Sequence, residues 1–440
     1  MRAHLSNAAY GVLDYAAYPA AMLVAAPALL HHLGVAQYGV WIVCSAAVSV
    51  GGIVASGFGD ANTQHVATMN SLNNRDALLR AVRSMMGINL ALGTALALIA
   101  LPFVPSLARH AVPTDATLQA ACIAALRIAC LLMLIRALES VCISTQRAFE
   151  RYGEAVRISL ILRVLTIAVA VVLTRLGYGV VSIMVLTATL TTLGLIAQII
   201  RLQTFLQTPH LAPTFDRAAL TVLFSFGIFS WMQAVSSVLF SQADRLILGA
   251  SLGAATVTAY ALCVQIAQPI YGLAAAGLHF LFPYLAARQA TSTLSALRRR
   301  VAIAFTANLA FVALVTVLAL LCGNTLLRLW VGPAIATAAK PIFTTIVWSF
   351  ALLALSVTAY YALLALGRVK SVTLVGLVAG AAMLALMACL LPRTGIRGVA
   401  FARIAFGLVS LAMYLPLARL LRLPATSIPS PGILPVCEDA

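Results

Sequence analysis

Residues 127–163 read RIACLLMLIRALESVCISTQRAFERYGEAVRISLILR. Two long apolar runs meet here at a short charged hinge. Arg127, Arg136 and Glu139 lie inside the first run, and Arg163 lies inside the second. A charge within a bilayer-length apolar segment costs about 3 kcal/mol or more, so it faces a wet cavity or a partner. These two runs therefore set the class of the chain, an all-α membrane protein, and mark the place to look for its chemistry.

The rest of the chain has the same character. Of its 440 residues 62% are hydrophobic and 9% charged, whereas soluble domains carry about 25% charge. The mean hydropathy is +1.03. Twelve apolar segments are expected, near 8–31, 38–58, 84–106, 118–143, 157–175, 180–200, 218–242, 256–285, 301–323, 334–363, 371–392 and 398–418. Each has about 20 mainly apolar residues or more, enough to cross the hydrocarbon as a helix. The N-terminal apolar stretch is too long for a cleaved signal and contains Asp14, so it reads as a retained first span.

The net charge is +17, and 26 of the 28 basic residues are arginine. In a soluble chain this balance would suggest nucleic acid as partner. Here most of the basic residues fall in short loops, where they set orientation and leave no nucleic-acid role. With the N-terminus inside, 17 fall on the inner side, 8 on the outer side, and Arg127, Arg136 and Arg163 within the membrane. Both termini are thus expected in the cytoplasm. The eight cysteines are scattered, none in a C-x-x-C pair, so neither a disulfide frame nor a metal site is expected.

The chain also reads as two copies of a six-helix unit. Leu33-Gly34 is echoed by Leu252-Gly253. The sequence around Arg151-Tyr152-Gly153 is echoed by Leu366-Gly367-Arg368, and Leu176-Gly177 by Thr394-Gly395. A near-constant offset signals duplication. Six is even, so both copies enter the membrane in the same sense, with a site expected between them. The expected bundles are 1–217 and 218–422, followed by a proline-rich tail, 423–440, expected to be a disordered cytosolic end.

Signs of catalysis are few. There is no Ser-His-Asp spacing, no H-E-x-x-H and no phosphate-binding glycine loop. The longest outer connection is about a dozen residues, too short for the loop expected of a membrane glycosyltransferase. A transport role without catalytic residue, metal or cofactor is the expectation. The ionisable residues inside the spans carry it. Arg136 and Glu139 share a helix face. Arg127, nine residues earlier, falls on about the opposite face. Asp14 and Arg163 each lie about two turns into their spans. Two readings stand side by side. In one, Arg127, Arg136 and Arg163 line a cationic cleft for an anionic lipid headgroup, with Asp14 and Glu139 available for ion coupling. In the other, Arg136 pairs with Glu139 and Asp14 with Arg163, or Arg163 snorkels to the inner interface. Elsewhere, Asp244-Arg245 is expected to pair with itself, Arg403 to mark an outer helix end, and His279 to be a core histidine.

Several short motifs resemble bacterial polysaccharide flippases of the Wzx type. They are Asp14 to Pro19, Leu33-Gly34-Val35-Ala36-Gln37-Tyr38-Gly39-Val40-Trp41, and Gly57-Phe58-Gly59-Asp60-Ala61. Gln242 to Gly249 with Leu252-Gly253, and Leu329-Trp330-Val331-Gly332-Pro333, complete the set. Their order and spacing cover nearly the whole chain. That family belongs with the multidrug, oligosaccharidyl-lipid and polysaccharide exporters. The resemblance implies about twelve helices in two bundles around a V-shaped, partly cationic cleft. It implies movement of undecaprenyl-pyrophosphate-linked oligosaccharides to the outer leaflet of the bacterial inner membrane. Partners would be the lipid-linked cargo, membrane lipids and a polysaccharide polymerase machinery. A cation-coupled drug exporter of the same superfamily is the main alternative, a membrane-embedded polymerase or transferase a more distant one. A major-facilitator carrier is disfavoured because its basic loop between spans two and three is missing.

Overall fold

The computed structural model describes residues 2–56, 58–72, 74–149, 152–208, 210–215, 231–232, 242–279, 281–286 and 293–421. Side chains at 2–19, 53–56, 60, 61, 64, 68, 71, 152–156, 283 and 286 lie outside the description. Among the described residues there is no strand. In the first part of the chain the helices are α1 (Arg2–Ser56), α2 (Gly59–Ser71), α3 (Arg75–Ala100), α4 (Val104–Ala111), α5 (Ala116–Ala148), α6 (Tyr152–Arg175) and α7 (Val180–Leu206). Residues 242–252 are also helical. Then follow α8 (Ala254–Leu278), α9 (Leu281–Ala286), α10 (Leu294–Val331), α11 (Pro333–Ala365), α12 (Val369–Thr394), α13 (Ile396–Ser410) and α14 (Tyr414–Leu420). Ten stretches of the described residues are long and apolar enough to span a membrane. The first of these, Ala20–Gly52, runs through a bend at Gly34, so it holds parts of the first two expected segments. The expected seventh segment, 218–242, lies almost wholly outside the described residues.

The bend shows why the repeat is visible. Gly34 has φ +74°, and its counterpart Gly253 has φ +83°. Residues with a Cβ rarely adopt that conformation, so glycine stands at both places. The helix ends repeat as well. Asn74 caps α3 and Thr293 caps α10 at matching places in the two copies, each with a side-chain oxygen accepting a backbone N–H of the first turn. The helices α5 (Ala116–Ala148) and α11 (Pro333–Ala365) are both 33 residues long, so their sequences align residue for residue. Gly177 and Gly395, also at positive φ, close α6 and α12.

Packing divides the chain into two compact units, Met1–Ala261 and Leu262–Ala440. Residues 216–230, where the sequence places the junction between bundles, lie outside the described residues. In the first unit α5 is the central helix, packed on α1, α3 and α7. Glycines let these helices approach. A Cβ on Gly51 would overlap Met133, one on Gly52 would stand 3.3 Å from the Arg136 Cβ, and one on Gly93 would stand 3.1 Å from the Ala137 Cβ. In the second unit α11 has the same central place, packed on α9, α10 and α13. Two-thirds of its most apolar window is buried, the largest share of any span.

One end of the first unit is tied by polar groups. Asn62 donates to Ser144 at 2.8 Å and Thr145 at 3.0 Å, and Gln146 donates to Gln198 at 2.6 Å. Arg75 donates to the carbonyls of Leu206 and Gln207 at the end of α7, at 3.0 and 2.9 Å. Arg83 donates to the His210 carbonyl at 2.9 Å. Cations at a helix C-terminus meet its last unpaired carbonyls and the negative end of its dipole. Arg75 therefore closes α7, and Arg83 holds the segment that follows it.

Candidate functional site

The site residues expected from the sequence fall on three helices, Asp14 on α1, Arg127, Arg136 and Glu139 on α5, and Arg163 on α6. Arg136 Nη1 and Glu139 Oε2 are 2.6 Å apart, with side-chain exposures of 27% and 5%. The i, i+3 spacing on α5 puts both on one face. Gly52 leaves room for the arginine stem beside α1. Glu139 thus sits in the packed interior of the unit, and the guanidinium reaches from it toward a less covered position. Arg127 lies on the exposed stripe of α5 with Ala120 and Leu131, away from that pair, as nine residues of helical turn require. Arg163 is half-buried on α6. The side chain of Asp14 lies outside the described residues, and with it the expected Asp14–Arg163 pair.

Three secondary expectations change. Asp244 and Arg245 do not join side chain to side chain as expected. Asp244 accepts the Tyr260 hydroxyl and the backbone N–H of Arg245, whose guanidinium donates to Gln242 at 3.2 Å. Adjacent helical residues point apart, so self-pairing is geometrically poor. Arg403 is not a surface marker. It is 8% exposed on α13, with its guanidinium carbon 4.7 Å from the Phe350 ring centroid, an arrangement in which the ring face attracts the cation. Its depth follows from the close approach of α13 to α11 at Gly407, where a Cβ would meet Leu352 at 2.8 Å. An arginine two turns inside an apolar run was the available signal. His279, expected in the core, is exposed in the turn after α8.

A separate pocket of about 330 Å³ opens at the other end of the first unit, lined by Gln37, Asp115, Thr117 and Gly179 among others. Two of its polar groups already act as helix caps. Asp115 accepts the N–H groups of Thr117 and Leu118 at 2.9 Å, and Gln37 accepts that of Val180 at 3.1 Å. It reads as a structural joint between two helix starts.

The fold built this way is shared with solved membrane transporters. The chain is similar to the lipid II flippase MurJ in its inward closed conformation, with TM-score 0.72 and 13% identity over 95% of this chain and 86% of that one. It is similar to an inward-facing multidrug-resistance MATE transporter of the MOP superfamily, with TM-score 0.68 and 14% identity over 93% and 94%. A Vibrio cholerae MATE transporter matches with TM-score 0.59 and 16% identity over 96% and 97%. At such identities the likeness is one of fold. No curated protein matches the sequence. Residues 32–333 match the family described as polysaccharide biosynthesis protein, and the chain belongs to that family.

Proposed function

We propose that the protein is a flippase, not an enzyme, and that it moves an undecaprenyl-pyrophosphate-linked oligosaccharide from the cytoplasmic to the periplasmic leaflet for O-antigen, capsule or exopolysaccharide assembly. Membership in a polysaccharide biosynthesis family supports the cargo class. The observation that carries the reading is the placing of arginine. Arg127, Arg136 and Arg163 all lie in spans of the first unit, and Arg127 stands exposed on α5, away from Glu139.

In this mechanism the cargo enters from the cytoplasm, in the bacterial inner membrane with both termini inside. Arg127 on its exposed stripe meets the pyrophosphate first. Arginine suits that task because its planar fork is always charged and matches phosphate oxygens in pairs. Arg136 exchanges part of its bond to Glu139 for the cargo, and Arg163 adds a third positive charge. The lipid tail stays in the bilayer through a lateral opening. Rocking of the two bundles then exposes the headgroup outside. Outward movement of negative charge across an inside-negative membrane is downhill, by about 2.3 kcal/mol per charge per 100 mV. Asp14 and Glu139 are the candidates for any ion coupling.

The fold of the MATE transporters favours one second reading, a cation-coupled drug exporter. Such a pump needs an open acid that competes for protons and organic cations. Glu139 is buried and bound to Arg136, which supports the anionic cargo instead. The deciding experiment uses purified protein in vesicles, with a fluorescent polyprenyl-diphosphate oligosaccharide and an organic cation as alternative cargoes. Translocation of the glycolipid and not the cation is expected. The reverse result replaces the flippase with the exporter.

A further inference from the structure

A headgroup entering from the cytoplasm carries sugar as well as phosphate, and the arginines above account for the phosphate alone. The inner end of the second unit has groups suited to both. There, α9, α10, α11 and α14 share one apolar cluster that includes Leu285, Leu297, Leu363 and Leu417. Tyr284, Tyr360 and Tyr361 are half-buried against it. The exposed ring of His279 stands edge-on to Tyr361, with centroids 5.6 Å apart and planes at 77°. Tyr360 and Tyr361 meet in the same way, at 5.2 Å and 78°. The Arg300 guanidinium carbon lies 5.8 Å from the Tyr284 ring centroid.

Edge-to-face pairs hold the rings firmly in place. A rigid tyrosine offers a large amphipathic surface at low entropy cost. A pyranose has a matching form, a flat face of C–H groups with hydroxyls at its rim. The charge around the rings is of one sign. From Leu262 to Cys437 the chain has 13 Lys and Arg and no Asp or Glu. Arg298 and Arg299 stand exposed beside Arg300. Such a field favours a sugar that comes with phosphate over a neutral one.

The fold does not demand these rings. With α5 aligned to α11 residue for residue, the places of Tyr360 and Tyr361 hold Ile143 and Ser144 in the duplicated first unit. Ser144 there serves packing, since it accepts from Asn62. Tyrosine is common at membrane interfaces, but a tyrosine serving only as an interface anchor is indifferent to sugar.

We propose that His279, Tyr284, Arg300, Tyr360 and Tyr361 form a docking platform for the sugar-phosphate headgroup of the cargo, with the tyrosines against the first sugar and Arg300 on the phosphate. The proposal rests on the flippase reading and adds a loading step at the second unit. The test uses the full-length protein in nanodiscs of zwitterionic lipid. The probes are a polyprenyl diphosphate bearing a disaccharide, the same lipid without sugar, and phosphatidylglycerol as competitor. Tyr361→Ala is expected to weaken binding of the glycosylated probe about tenfold, an easily measured step in affinity, and to leave the sugar-free probe unchanged. Tyr361→Phe keeps the ring and wild-type binding, which separates recognition from misfolding. Arg300→Gln weakens both probes.

Equal loss on both probes in Tyr361→Ala, or no loss, overturns the platform. So does displacement of both probes by phosphatidylglycerol with equal ease, which marks a plain anionic-lipid anchor. The two proposals fail separately. Wild-type protein that binds the glycosylated probe with this ring dependence but does not translocate it retains the platform and loses the flippase. Wild-type protein that translocates it with no effect of Tyr361→Ala retains the flippase and loses the platform. Wild-type protein that binds neither probe loses both.

Discussion

In α5, Arg136 and Glu139 stand a turn apart at the centre of the first unit. In α11, aligned to α5 residue for residue, the same two places hold Leu353 and Ser356. Ser356 turns its hydroxyl back onto the Leu353 carbonyl at 2.7 Å. The neighbouring helices differ to match. Gly51, Gly52 and Gly93 line α5. By the offset that relates Asn74 to Thr293, the corresponding places on α8 and α10 hold Ile270, Tyr271 and Val312. Glycines approach α11 as well, Gly407 at Leu352 and Gly323 at Phe343, so what sets α5 apart is the charged pair. Arg127 and Arg163 follow the rule, with uncharged Thr344 and Gly380 as counterparts. The architecture does not need the charges, so their presence in one copy points to use.

The largest expected effect separates the pair from its parts. Glu139→Ala leaves the Arg136 guanidinium partly buried with its carboxylate gone, and is expected to lower unfolding stability in detergent by about 3 kcal/mol. Replacing both residues by those of α11, Arg136→Leu with Glu139→Ser, should restore stability to within about 1 kcal/mol, because exchanging a buried ion pair for well-packed neutral groups is often close to neutral. Glycolipid translocation should not return. If it does, the pair is only packing. Next in size, Gly52→Val places branched bulk against the Arg136 stem and is expected to cost about 2 kcal/mol by overpacking, read as a lower midpoint on thermal unfolding.

Arg127→Thr introduces the counterpart residue at an exposed position. Stability should change by less than about 0.5 kcal/mol, while translocation in vesicles falls about tenfold, equivalent to ~1.4 kcal/mol in the barrier. Unchanged translocation removes the strongest support for a cationic cleft. The smallest effect concerns His65 on α2, outside the candidate spans, where loss of hydration lowers its basicity below the ordinary 6.5. As pH falls through 6.5 the unfolded chain takes up the proton first. The fold therefore loses stability below that value and keeps it above. Melting between about pH 7 and pH 5 should show this slope, and His65→Gln should flatten it.

Much of the fold was legible because length and hydropathy act locally. A run of about 20 apolar residues must close its own backbone hydrogen bonds in a bilayer, so helix follows from composition. The glycines at Gly34 and Gly253 repeat because their backbone conformation excludes other residues. The sites were less legible. The Arg136–Glu139 contact follows from spacing along one helix, but the wrong surface assigned to Arg403 and His279 came from reading depth in place of packing. Arg403 is buried because α13 meets α11 closely at Gly407. No local signal ties Gln146 to Gln198, which stand far apart in the chain.

The sequence by itself determined the membrane-spanning class and the presence of arginines within apolar runs, since both follow from local composition. Only the tertiary structure decided which of those arginines is neutralised, which lies open on a helix face and which rests on an aromatic ring. That choice depends on how closely neighbouring helices approach, and the approach is set by single glycines facing helices far away in sequence.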